Sequence, residues 1–236
     1  MTELLFYQDA YLREFEAVVM DVSPEGVELD RSAFYPGGGG QPCDAGSLAA
    51  DNVLWTVESV RKMEGRIWHR VAGDPPRTGQ VVQGRLDWDR RYALMRTHTA
   101  MHILCGVIWR DHGASVTGGN MEPLQGRMDF EFERMRQELV LEIEARINAE
   151  VKAGRPVRTR SLPRAEAFQI PDLIRTKINL LPEGIQDVRV VEIVGLDLQA
   201  DGGTHVANTD EVGAMRIVDY RSKGAINKRL VVALDR

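Results

Sequence analysis

The sequence has few cysteines, no long apolar run and no excess of positive charge, and each shortage excludes a class of protein. Its 236 residues include only Cys43 and Cys105, too few for a disulfide framework, which favours a reducing cytoplasm. No stretch reaches the roughly 18 consecutive apolar residues of a membrane-spanning helix, so we expect no membrane partner. The N-terminal residues lack the basic and apolar regions of a signal peptide. A net charge of −5 argues against non-specific coating of nucleic acid. A local basic patch that binds a few phosphates is still compatible with this net charge.

The patterns that are present predict two domains, residues 1–86 and 87–236. In the first, apolar residues alternate on either side of the turns "SPEG" and "MEG", which is typical of short strands in a small β-barrel. In the second, "WDRRYALMRTHTAMHILCGVIWRDHG" predicts a long helix that stops at Gly113. A second helix is predicted because apolar residues recur at every fourth position from Met135 to Val151. Three later segments, "DVRVVEIVGLDLQ", "AMRIVDY" and "KRLVVALD", predict strands. The expected fold class is therefore α+β: a small N-terminal β-barrel followed by helices packed on a mainly antiparallel sheet.

Histidine and aspartate are concentrated in two short segments that predict a metal site. His98 and His102 are four residues apart on the long helix, so both imidazoles leave the same face. In "DGGTH", two glycines permit a tight turn that lets Asp201 and His205 converge. Three imidazoles and one carboxylate suit a zinc-like ion. Taken alone, the histidine pair is equally compatible with two satisfied core histidines, and the second segment is what favours the metal.

Other residues near this pattern are predicted not to take part. Cys105 lies on the same helical stripe, but seven residues of helix rise about 10.5 Å, too far for it to share an ion with His98. His69 and His112 have no partner in the sequence and are expected to be structural or exposed. Thr99 stands where zinc peptidases of the HExxH type carry their glutamate base, which argues against a peptidase.

A third segment, "FYPGGGGQP" at residues 34–42, has four consecutive glycines that expose backbone N–H groups. No Lys-Ser or Lys-Thr follows it and its context is β, so it is not a phosphate-binding P-loop. It is either a flexible hairpin tip or a shaped loop, and the flanking aromatic and proline residues favour the shaped loop.

Together and in this order, the segments "SAFYPGGGGQPCDAG", "RTHTAMHIL" and "DGGTHVANTDEVG" resemble the AlaX family of freestanding alanyl-tRNA editing proteins and the editing region of alanyl-tRNA synthetase. The late "SKGAINKRL" is also similar, and the resemblance covers nearly the whole chain. The length resembles the medium form of the family. The chain departs from the family pattern at Asp201, where the family usually has a cysteine ligand. Because carboxylate is a harder ligand than thiolate, the identity and affinity of the metal depend on this position.

The resemblance implies a function and a set of site residues. It implies hydrolysis of the ester that joins serine, or also glycine, to alanine-specific tRNA. Zinc bound by His98, His102 and His205 would polarise that ester and lower the pKa of a water. Asp201 either binds the metal directly, the favoured version, or accepts a hydrogen bond from a metal-bound water. The substrate-binding residues implied by the resemblance are Thr117, Gly38, Gly39 and Gln41.

Thr117 lies roughly where the family reads the substrate side chain, and a turn-capping threonine is the alternative interpretation. The glycine-rich loop, with Gly38 and Gln41, is expected to lie beside the metal site. Basic residues near the C-terminus could meet tRNA phosphates or form a solvated face: Arg216, Arg221, Lys223, Lys228 and Arg229. Two further functions stay open at this stage, a metal hydrolase of the same fold acting on another ester and a non-catalytic tRNA- or metal-binding module.

Overall fold

A computed structural model describes residues 2–132, 135–175, 184–224 and 226–235. The chain divides into two compact units, Met1–Leu94 and Met95–Arg236. The long helix α2 (Trp88–His112) begins within the first unit and continues into the second. None of the helices in the described part of the chain is long and apolar enough to cross a membrane.

The first unit is built around a closed barrel of antiparallel strands. Its elements before α2 are β1 (Glu3–Leu4), α1 (Leu5–Gln8), β2 (Glu14–Ser23), β3 (Gly26–Leu29), β4 (Arg31–Ser32), β5 (Gly46–Ala50), β6 (Val53–Met63), β7 (Arg66–Val71) and β8 (Val81–Leu86). The barrel closes in the order β2-β3-β7-β6-β5-β8. Closure removes the exposed sheet edges that would otherwise invite pairing with another chain. The barrel predicted from the sequence is confirmed.

Two tight turns explain the strand pairing on one side of the barrel. Asp51 and Asn52 join β5 to β6 with positive φ angles of 48° and 64°. Glu64 and Gly65 join β6 to β7 with φ angles of 51° and 80°. Two consecutive positive φ angles match the right-handed twist of the flanking strands and fix the hairpin register. The second of these turns is the predicted "MEG" turn.

The barrel interior follows the expected alternation. Along β8 exposed and buried residues alternate, with Val82 and Leu86 inward. Gly84, between them, lies under the ring of Phe15, where a Cβ would come within 2.5 Å of the ring. Glycine is therefore required there, because the aromatic ring occupies the space that a side chain would need.

The second unit consists of two antiparallel sheets and the helices that cover them. After α2 its elements are β9 (Val116–Glu122), β10 (Gln125–Glu131), α3 (Gln137–Lys152), β11 (Val157–Pro163), α4 (Arg164–Ala167), β12 (Asp187–Ile193), β13 (Asp197–Ala200), a 3-10 helix (Thr209–Val212), β14 (Met215–Ser222) and β15 (Asn227–Leu234). One sheet has the order β14-β15-β10-β9 and the other β11-β12-β13. This architecture confirms the predicted α+β class.

The two long helices differ in how much of their surface is buried. Every residue of α2 from position 97 to position 108 is buried, so the helix is central rather than one-sided. The buried stripe predicted around His98 and His102 is present, but the residues on the other faces of this part of the helix are buried as well. In α3 the buried residues lie mainly on one face and include Val140, Ile143, Ile147 and Val151. This helix begins two residues after Met135, so the sequence pattern placed its start slightly early.

Candidate metal centre

The structure brings four of the residues singled out in the sequence together. His98, His102, Asp201 and His205 each offer one ligand atom, and these atoms lie within 4.8 Å of one another. Oδ2 of Asp201 is 3.0 Å from Nε2 of His205, and Oδ1 is 3.4 Å from Nε2 of His98. All three histidines are buried and the Asp201 side chain is only 10% exposed. The cluster is a shielded set of nitrogen and oxygen donors aimed at one point.

Local backbone chemistry explains how the two segments converge. On α2 the four-residue spacing places the His98 and His102 rings 5.2 Å apart, centroid to centroid. After β13 ends, Oδ2 of Asp201 accepts a hydrogen bond from the backbone N–H of Gly203 at 2.7 Å. An aspartate that bonds the backbone two residues later forms a compact turn. This turn returns the chain toward Asp201, so that His205 faces the same carboxylate.

The charges of the cluster suit a cation. Burial alone would raise the pKa of the Asp201 carboxyl group, but His98 and His205 outweigh it and hold that pKa well below its usual range. Burial, reinforced by the charge of His98, holds the pKa of His205 well below its usual value against the opposing bond to Asp201. At neutral pH the site therefore presents an ionised carboxylate and a neutral imidazole, the forms in which both residues bind metals.

Sequence reasoning missed two residues that contact the histidines. Nδ1 of His102 is 3.0 Å from Oδ2 of Asp197, which lies at the start of β13 and is fully buried. Burial alone would lower the pKa of His102, but the bond to Asp197 outweighs it and raises that pKa. Nδ1 of His205 is 3.2 Å from the hydroxyl of Thr99, the residue that replaces the peptidase glutamate. Asp197 stands in the segment "DLQADGGTH", but its partner His102 is 95 residues away in the sequence, and no local spacing pattern connects the two residues.

The residues predicted to stay outside the cluster do so. Cys105 is buried, and burial raises the pKa of its thiol. The thiol therefore stays protonated and packs in the interior. His69 is fully buried on β7, with Nε2 2.7 Å from the Ser32 hydroxyl and Nδ1 3.0 Å from the carbonyl of Val27. His112 is exposed at the end of α2.

The glycine-rich segment is a shaped loop in the first unit. Gly37, Gly38, Gly39 and Gly40 all have positive φ angles, between 58° and 137°. Gly38 and Gln41 exchange backbone hydrogen bonds of 3.0 and 2.9 Å, so the Gly38 N–H is engaged within the loop. This conformation needs glycine, since other residues rarely adopt it. The internal hydrogen bonds favour the shaped loop over a flexible hairpin tip.

A buried ion pair closes this loop at its base. Asp44 accepts a hydrogen bond from the backbone N–H of Tyr35 at 2.6 Å and donates its own N–H to the Tyr35 carbonyl at 3.0 Å. Arg91 makes several hydrogen bonds to the same carboxylate and also donates to the carbonyls of Ala10 and Ala33. Arg91 and Asp44 are 0% and 1% exposed.

Thr117, the residue predicted to read the substrate, lies on β9. Its side chain is exposed and its hydroxyl donates to Oδ1 of Asn227 at 2.7 Å. A position within a strand does not favour the turn-capping interpretation, and the role of Thr117 toward a substrate stays a prediction.

Comparison with known proteins identifies the family. Residues 5–90 match the family model "tRNA synthetases class II (A)", and residues 188–231 match "Threonyl and Alanyl tRNA synthetase second additional domain". The alanyl-tRNA editing protein AlaX-M of Methanosarcina barkeri is 38% identical over 99% of both chains. The chain belongs to the AlaX-M family. The AlaX-M protein of Saccharolobus solfataricus is 38% identical over 98% of both chains.

The alanine–tRNA ligase of Pyrococcus furiosus carries a similar region inside a larger protein. It is 37% identical over 92% of this chain, which corresponds to 24% of the ligase. The chain thus matches the AlaX-M proteins over nearly their whole length and the ligase over about a quarter of its length.

Proposed function

We propose that this AlaX-M chain is an aminoacyl-tRNA deacylase that hydrolyses mischarged alanine-specific tRNA, with the seryl ester as its substrate and the glycyl ester as a second one. The observation that carries the proposal is the buried His98–His102–Asp201–His205 cluster in a chain that matches alanyl-tRNA editing proteins over its full length. The match to an AlaX-M protein over 99% of both chains supports a reaction in trans, on tRNA released by the ligase.

The donor set fits zinc. Zinc takes imidazole nitrogen and carboxylate oxygen at about 2.0–2.2 Å in tetrahedral sites, which places neighbouring ligand atoms roughly 3.3 Å apart. The ligand atoms here lie within 4.8 Å of one another, and the Asp201–His205 pair is already at 3.0 Å. Small side-chain adjustments therefore suffice for coordination. Buried, mixed nitrogen and oxygen donors favour zinc over the hard cations that prefer oxygen alone.

The chain's own residues set the conditions for ester hydrolysis. His98, His102 and His205 would hold a zinc ion, which would supply a Lewis acid for the ester carbonyl. Asp201 either completes the ligand set or accepts a hydrogen bond from a water and orients it toward the ester. Burial of the cluster excludes bulk water, which strengthens each of these interactions.

An editing site that hydrolyses wrong esters is needed in addition to the pocket in which a ligase selects alanine. A pocket built for alanine cannot strongly reject glycine, which is smaller, or serine, which adds one hydroxyl. We propose that Thr117 reads the serine hydroxyl and that Gly38, Gly39 and Gln41 of the glycine-rich loop bind the aminoacyl end. The basic C-terminal residues around Arg229 are proposed tRNA contacts, and the cytoplasm is the proposed compartment.

A deacylation assay tests the proposal. Zinc-loaded protein is incubated with seryl-, glycyl- and alanyl-tRNA of the alanine acceptor, and the surviving ester is measured over time. We expect loss of the seryl and glycyl esters and survival of the alanyl ester. His98→Ala should abolish the activity, whereas His112→Ala, at an exposed histidine on the same helix, should retain it. Survival of all three esters would refute the enzyme and favour a binding module.

A further inference from the structure

We infer that Asp197 is a positioning residue of the metal centre: its carboxylate fixes the ring of His102 so that Nε2 faces the ion. The inference rests on the metal binding included in the proposed function. It concerns a residue that does not itself belong to the four-residue cluster.

The first observation is which nitrogen of His102 is bound. Nδ1 lies 3.0 Å from Oδ2 of Asp197, and an ionised carboxylate only accepts hydrogen bonds. The Nδ1 atom must therefore carry the proton, which leaves the Nε2 lone pair for a metal. Outer carboxylates that select the tautomer in this way also raise the basicity of the ligating nitrogen.

The second observation is that burial of the Asp197 carboxylate costs folding free energy. The Asp197 side chain is 0% exposed, and its Oδ1 atom has no hydrogen-bond partner among the described residues. Nη2 of Arg175 lies 3.7 Å from Oδ1. Besides His102, Gln199 donates to Oδ2 at 2.7 Å. A buried carboxylate with one oxygen left without a hydrogen bond among these residues is unfavourable for folding, so stability alone does not account for it.

The third observation is the close packing that delivers Asp197 to the helix. Gly106 lies one turn after His102 on α2, and a Cβ there would meet Cγ of Leu196 at 2.9 Å and Cβ of Asp197 at 3.0 Å. The absence of a side chain lets the start of β13 approach the helix. Without that approach the Asp197 carboxylate would be displaced from His102 Nδ1.

The bond between Thr99 and His205 offers a contrast. The Thr99 hydroxyl accepts a hydrogen bond from the backbone N–H of Val206 at 3.3 Å and lies 3.2 Å from Nδ1 of His205. A hydroxyl both donates and accepts, so it supports either tautomer of that ring. The contact with Asp197, in contrast, enforces one tautomer of His102.

The test measures zinc affinity by competition with a chromophoric chelator, independently of deacylation. Asp197→Asn removes the charge with little change of size, and we expect zinc affinity to fall about 10–100-fold. Asp129→Asn is the matched control, because Asp129 is also buried and charge-paired, with Arg229, and should leave zinc affinity unchanged. Gly106→Ala is a second perturbation, at the packing contact, and should also weaken zinc binding.

A spectroscopic readout separates positioning from a general loss of structure. In metal-free protein at alkaline pH, long-range 1H–15N correlation spectra should show His102 as the Nδ1–H tautomer in the wild type and as a mixture in Asp197→Asn. Equal zinc affinity and an unchanged tautomer in Asp197→Asn would overturn the inference while leaving the proposed function intact. A wild-type chain that binds no zinc would overturn both. Hydrolysis of the seryl ester by the wild type, together with weaker zinc binding in Asp197→Asn, would support both.

Discussion

The buried pair Arg91–Asp44 gives the sharpest prediction about stability, because both side chains are almost fully excluded from solvent. Asp44→Ala leaves the Arg91 cation buried, with the carbonyls of Ala10 and Ala33 as its remaining hydrogen-bond partners among the described residues. Removing one member of a buried ion pair costs about 3–5 kcal/mol, because the remaining charge is uncompensated. The same variant also removes the acceptor of the Tyr35 N–H at the base of the glycine-rich loop.

The effect is measured by urea denaturation followed by tryptophan fluorescence. In a Trp109→Phe background the remaining tryptophans, Trp55, Trp68 and Trp88, all belong to the first unit. With a slope of about 1–3 kcal/mol per molar urea for a small domain, the expected loss lowers the midpoint by at least about 1 M. The double variant Arg91→Met with Asp44→Leu should cost much less than the two single changes added together, because no charge is left unpaired. A loss below about 1 kcal/mol in Asp44→Ala, or additive losses in the double variant, would refute the reasoning.

Two further predictions concern the metal centre and the barrel. Asp201→Ala should weaken metal retention while Asp201→Cys keeps a zinc site, as measured by metal analysis after gel filtration; full zinc content and activity in Asp201→Ala would make Asp201 a bystander. Burial lowers the pKa of His69 from 6.5 to about 4, so the folded state prefers the neutral ring. As the pH falls below 6.5 the unfolded state gains a proton first, and about 3 kcal/mol of stability is lost by pH 4. Denaturation at both ends of this range should show a loss about 3 kcal/mol larger in the wild type than in His69→Gln, and equal losses would contradict it.

Strong local patterns account for what could be predicted of the fold. The α2 pattern ends at Gly113 as expected, and the barrel follows from alternation and from turns such as Glu64–Gly65. The hairpin of β9 and β10 gave no such signal, because "VTGGNME" and "QGRMDFE" are rich in glycine and polar residues. They become strands through pairing of β10 with β15, in which every second residue is buried. Tertiary pairing thus overrides weak local preference.

In the candidate site, too, local spacing predicted some contacts and tertiary packing determines the others. His98 and His102 share a helix face, and Asp201 and His205 share a turn, so spacing alone predicted each pair. The contact between His102 and Asp197 depends on the close approach of β13 to α2 at Gly106, which no local pattern encodes. Likewise, nothing in the sequence connects Arg91 with Asp44.

The most direct test of the central claim is the metal dependence of hydrolysis on one substrate. Seryl-tRNA of the alanine acceptor is incubated with the wild-type protein as purified, after removal of metal by a chelator, and after re-addition of stoichiometric zinc. The account predicts hydrolysis, its loss, and its recovery, with no recovery in His205→Ala. Hydrolysis that continues unchanged in the thoroughly chelated protein would contradict it.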